Sequence, residues 1–162
     1  MEKLTLTALC AGLDTPRTRV ERWISDGVFA PLDFPDRGKA RGWTKHNAIR
    51  LACLLRLVDA GLRVEVGRSI NRLDGWHLVS EPAFLVVLAH KRTVWEQRKR
   101  QDGTCELVDS GERYQAFLVK RSEIINQLRE HSWVSIAHII INLSDVENEV
   151  ERAWVLAQSM PH

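Results

Sequence analysis

The sequence predicts an α+β protein in two parts: a helical unit carrying a small β-hairpin over residues 1–75, and a small α+β domain with a sheet of three or four strands over residues 83–162, joined by a linker at 76–82. Three observations predict it. Capped segments with apolar residues at helical spacing fill the first part, broken once by a proline- and glycine-rich stretch. Strand-length apolar runs, Phe84 to Ala89 and Ile139 to Ile141, appear only in the second part. The charge also changes sign: residues 1–75 hold thirteen Lys/Arg against nine Asp/Glu, and residues 76–162 hold ten against twelve.

The elements follow in chain order. Leu6 to Ala11, with Leu6, Ala8, Leu9 and Cys10, predicts a short helix capped by Thr7 and stopped at Gly12-Leu13. A tight turn through Leu13-Asp14 leads into Thr15-Pro16, where Thr15 is the expected N-cap and proline suits the first helical position. Val20, Trp23 and Ile24 make the apolar stripe of this second helix, which closes at Gly27. Arg17, Thr18, Arg22 and, less squarely, Arg19 point away from that stripe. Two short helices joined by a tight turn make a helix-turn-helix. Val28 to Phe34 and Lys39 to Trp43 flank Pro35-Asp36-Arg37-Gly38, so a hairpin is expected, with Arg37, Lys39 and Arg41 on its tip and return strand and Phe34 and Trp43 as anchors. Thr44 caps the most strongly patterned helix, whose apolar face runs from Ala48 to Val58 and ends at Gly61-Leu62; Val64 to Leu73 predicts a further short helix.

In the second part, Phe84 to Ala89 reads as a buried strand. Thr93 to Arg100 fits a meander strand or a helix, Cys105 to Asp109 a strand, and Tyr114 to Val119 a strand or a helix start. Ser122 is placed to cap a helix to Glu130, and Trp133 to Leu143 reads as a buried strand. Ser144 to Glu147 forms a capping box before a last helix with Val146, Val150, Trp154 and Val155 on one face.

The order of elements over residues 4–73 resembles the winged helix-turn-helix of MerR-type regulators and their excisionase-like relatives. The Ala8 to Gly12 turn signature, the arginine-rich Arg17 to Trp23 running to Gly27, the Arg41-Gly42-Trp43-Thr44 step into a helix and the helix ending Asp59-Ala60-Gly61-Leu62 carry the resemblance. It departs from that family in a slightly longer Gly12 to Gly27 span and in lacking the long dimerisation helix after the domain. The resemblance implies sequence-specific binding of double-stranded DNA, with the Thr15 helix in the major groove and the hairpin as a wing on the backbone. Thr15, Arg17, Thr18, Arg19, Arg22, Arg37, Lys39, Arg41 and Lys45 are then the candidate DNA-binding residues.

Composition bounds the alternatives. With 44% hydrophobic and 27% charged residues in 162, the chain is globular in type, and no apolar run approaches the roughly 20 residues that span a bilayer. A cytoplasmic protein with no membrane partner is expected. Cys10, Cys53 and Cys105 lack paired spacing, which indicates neither a disulfide framework nor a metal site. No phosphate-binding loop, catalytic elbow or metal motif occurs, so no catalytic residues and no cofactor are expected, and His90, His131 and His138 read as structural residues. Lys91-Arg92 and Arg98-Lys99-Arg100, with Trp95 between, read as a solvated strand edge more readily than as a nucleic-acid contact. The expected function is a bacterial or phage transcriptional regulator acting as a homodimer through residues 83–162, a domain with room to sense a small-molecule effector. The alternative is a protein-interaction adaptor that uses the helix-turn-helix as a docking surface, since Glu21, Asp26, Asp33 and Asp36 surround the same face.

Overall fold

The computed structural model describes residues 3–32, 42–73, 76, 83–90, 95–100, 102–109, 111, 113–131 and 135–159. In chain order these form helices α1 (Leu6–Gly12), α2 (Arg17–Ser25), α3 (Lys45–Asp59) and α4 (Val66–Asn71), strands β1 (Ala83–His90), β2 (Trp95–Lys99), β3 (Cys105–Asp109) and β4 (Tyr114–Lys120), a 3-10 turn (Arg121–Glu123) running into α5 (Ile124–His131), strand β5 (Ser135–Asn142) and helix α6 (Leu143–Ser159). The α+β class holds.

The sheet is three-stranded and antiparallel in the order β4-β1-β5. β1 is central, which explains its uninterrupted apolar run: Leu85 and Val87 face the main core, while Val86 and Leu88 face the opposite side, where Phe117, Val119 and Ile124 and Leu128 of α5 join them. β2 and β3 pair only with each other as a separate antiparallel ribbon. Thr93 to Arg100 therefore supplies a strand, and Tyr114 to Val119 lies in another.

The N-terminal helices end as their sequences suggest in kind but not always in residue. Gly27 adopts φ 66° after α2, and the N–H groups of Gly27 and Val28 donate to the carbonyls of Ile24 and Trp23, closing the last turn. After α1 the left-handed residue is Asp14, at φ 48°, with Thr15 N–H donating to Cys10 O at 2.9 Å. Gly12 is thus the last helical residue and not the stop expected of it. Its role is contact: a Cβ built there would lie 2.5 Å from the carbonyl oxygen of Ala153 in α6. Capping also shifts. Thr5, not Thr7, accepts the Ala8 N–H and caps α1, whereas Thr44 caps α3 as expected, accepting from Asn47 N–H at 3.3 Å. Asn142, one residue before α6, accepts the Ser144 N–H, so the helix begins ahead of the expected Ser144 box. On α6 the buried face is Leu143, Val146, Val150, Ala153, Trp154 and Ala157; Val155, expected among them, is exposed.

One continuous core gathers Leu9, Val20, Trp23, Leu51, Leu54 and Ile70 from the first half with Leu85, Ile141, Val146, Val150 and Trp154 from the second. α6 makes this possible by lying against both α1 and α3. Trp76, at the head of the expected linker, is buried in the same core, and residues 77–82 lie outside those described.

Candidate nucleic-acid interface

α2 begins at Pro16, whose carbonyl accepts the Arg19 N–H at 3.0 Å. Thr15 does not supply the expected hydroxyl cap: its side chain is buried, and among the described residues its Oγ1 has no hydrogen-bond partner. The proline carries the N-cap position because its fixed φ already directs the chain into the helix. Thr15 is therefore a wall residue, withdrawn from the surface it was expected to join.

The remaining candidates divide by direction. Arg17, Thr18 and Arg22 stand exposed on the outer face of α2, beside Glu21 and Ser25, while Val20 and Trp23 are buried beneath. Arg17 forms an ion pair with Glu21 at 2.7 Å and donates to Thr7 Oγ1 at 2.9 Å, tying α2 to α1. Arg22 approaches Asp26 at 3.5 Å. Arg19 turns inward, half-buried, with its guanidinium 4.7 Å from the Trp23 ring and 3.6 Å from Asp59 of α3. Lys45 pairs with Glu151 and lies 5.9 Å from the Trp154 ring, so it serves the α3–α6 contact and not the outer face of α2. Arg37, Lys39 and Arg41, with Phe34 and the rest of the expected hairpin tip, lie outside the described residues.

Trp43, at the end of the expected return strand, is described. Leu4 and Trp43 exchange N–H···O bonds of 3.1 and 2.8 Å, and Trp43 stacks on Phe29 with 6.0 Å between centroids. After α2, residues 28–32 have no strand partner among the described residues and are held by side chains. Asn71 donates to Val28 O and accepts from Ala30 N–H, Arg50 donates to Ala30 O at 2.9 Å, and Asn47 both donates to Leu32 O and accepts from its N–H. Sequence reasoning missed Asn47, Arg50 and Asn71, because polar residues on otherwise apolar helices resemble surface positions until their partners are known.

A cleft of about 530 Å³ runs along the outer face, lined by Thr5, Thr7, Arg17, Glu21, Ser25 and Trp43 among others. Hydroxyls and a guanidinium along a groove suit phosphate oxygens, and the paired carboxylates can be displaced, since exposed ion pairs contribute only about 0–1 kcal/mol. Elsewhere, Arg98, Lys99 and Arg100 are exposed on the β2–β3 ribbon, with Arg100 paired to Glu106. Thr104 donates to Asp102 from both its N–H and its hydroxyl, holding that carboxyl below its usual range. Burial pushes the Cys10 thiol up to about 11 and the Cys53 thiol up to about 12, which keeps both protonated in the core. His131 stacks on Phe117 at 5.2 Å, His90 is buried and His138 is exposed. Among the described residues no group of His, Cys, Asp and Glu is arranged to hold a metal ion, and no helix is long and apolar enough to cross a membrane. Compared with known proteins, the sequence matches no family model and no curated protein.

Proposed function

We propose that this protein binds double-stranded DNA sequence-specifically through α2, as a cytoplasmic bacterial or phage transcriptional regulator of the MerR-like, excisionase-like winged helix-turn-helix kind. The observation that carries the reading is the division of α2: Val20 and Trp23 are buried against the core while Arg17, Thr18, Glu21, Arg22 and Ser25 form an exposed polar strip. A helix so mounted, joined to α1 by a tight turn and with Trp43 lining the same cleft, offers donors to base edges and phosphates. One such module covers little DNA, so useful affinity calls for two copies. Residues 83–162 are the proposed contact between them, supported by Ile140, which is 43% exposed on the sheet face that α5 covers only in part. Gel shift against genomic fragments tests the reading. The Arg17→Ala/Arg22→Ala double variant is expected to bind roughly a hundredfold more weakly; parental affinity in that variant would remove α2 from the interface.

One observation favours the adaptor reading: Arg17, Arg19 and Arg22 each face a carboxylate of the protein itself, which lowers the positive potential of the strip. Salt separates the two readings. Phosphate contacts release counterions, so DNA affinity falls steeply as salt rises, whereas a mainly apolar partner interface holds its affinity.

A further inference from the structure

Away from α2, a second cleft of about 430 Å³ opens between α4 and the end of the sheet. Arg63, from the turn before α4, Arg68, on α4, and Arg113, at the start of β4, converge on it with Glu65, His90 and Tyr114. Among the described residues that line it, three guanidinium groups stand against one carboxylate. Arg17, Arg19, Arg22, Arg56 and Arg100 each have a carboxylate within 4 Å, whereas among the described residues Arg63, Arg68 and Arg113, all three exposed at this one cleft, pair with none. Positive groups gathered at one cleft raise the local concentration of anions.

The walls are fixed by bonds that leave the ligating groups open to the cleft. The Arg63 N–H donates to Tyr114 Oη at 3.2 Å, the Ser69 hydroxyl donates to the Tyr114 carbonyl at 2.7 Å, and the His90 N–H donates to the Arg113 carbonyl at 2.9 Å. The phenol accepts from the backbone and retains its own proton for donation. His90 itself is 8% exposed, an imidazole set into the floor. Forked guanidinium donors pair bidentately with phosphate oxygens, several of them together suit its multiple negative charge, and the volume suits a small molecule.

We propose that this cleft binds a small phosphate-bearing ligand, free phosphate or a phosphate monoester, held by Arg63, Arg68 and Arg113. The proposal goes beyond DNA binding and does not depend on it. It gives the second half of the chain a ligand site whose walls come from both halves.

The test is titration of the full chain with inorganic phosphate at constant ionic strength, followed by amide NMR without DNA. Saturable shifts clustered at residues 63–69, 90, 113 and 114 are expected. Arg68→Ala and Arg113→Ala should each weaken binding roughly tenfold, and Arg68→Lys, which keeps the charge but loses the fork, by less. Arg152→Ala removes the same charge from an exposed position on α6 and should leave affinity unchanged. Glycerol phosphate binding more tightly than inorganic phosphate identifies a monoester as the ligand, and equal affinity identifies free phosphate. Shifts that rise linearly without saturation, parental affinity in both the Arg68 and Arg113 variants, or an equal loss in Arg152→Ala would overturn the proposal. The amide spectrum of each variant reports its fold, and the lysine variant preserves the test if an alanine variant unfolds.

Discussion

Arg50 is 1% exposed, and burial lowers its pKa to about 10, so it remains charged at neutral pH inside the core. Its guanidinium reaches the carbonyl of Ala30 and Oδ1 of Asn71, at 2.9 and 3.2 Å, and lies 5.6 Å from the ring centroid of Phe29 and 5.9 Å from that of Trp76. Charge-assisted hydrogen bonds of about 1.5–3 kcal/mol each offset the desolvation that burial imposes. Arg50→Ala is expected to cost about 3 kcal/mol in urea unfolding. Asn71→Ala, which strips an acceptor from the charge, should cost a similar amount, and the double variant less than their sum. A loss below about 1 kcal/mol for Arg50→Ala would mean that the guanidinium does not secure residues 28–32. Periodicity could not have revealed this residue. Its partners Ala30 and Asn71 stand 20 and 21 positions away, while local pattern reports only that Arg50 interrupts an apolar helix.

At the scale of elements, the sequence is most legible where a local rule decides the outcome. Thr44 before α3 and Gly27 after α2 behave as capping chemistry requires, and the apolar run of β1 marks a strand buried on both faces. It is least legible where two elements meet. Gly12 reads as a helix stop because glycine commonly fills that position, yet Asp14 takes the left-handed conformation and Gly12 instead admits the backbone of α6. Gly12→Ala is expected to destabilise the protein by about 1–3 kcal/mol through overpacking, although alanine favours a helix. A thermal melt equal to or above that of the parent would show that α1 and α6 separate without cost. The same limit explains the candidate site. Helical spacing placed Arg17, Thr18 and Arg22 together on one face, whereas Lys45 and Arg19 turn to Glu151 and Asp59, acids that no local window connects to them.

For the whole molecule, the change of composition near residue 76 suggested two compact parts, yet the core crosses that point. Leu143, Val146, Val150 and Trp154 are buried within it, and at about 1.5–3 kcal/mol for each large apolar side chain their contribution rivals the roughly 5–15 kcal/mol by which a typical domain is stable. Ending the chain before Leu143 should therefore loosen the N-terminal helices. Thiol labelling reads this directly: in the full chain Cys105 reacts while buried Cys10 and Cys53 are protected, and in the truncated chain all three should react. Continued protection of Cys10 and Cys53 would establish that residues 1–75 keep their own core. The contact between Gly12 and Ala153 also sets an order of events during synthesis. A ribosome adding about 5–20 residues per second makes α1 many seconds before α6 exists to cover it. Through that interval α1 lacks the helix on which Gly12 packs, so the helix pair proposed to read DNA gains this support only when the helix farthest from it in sequence has been delivered.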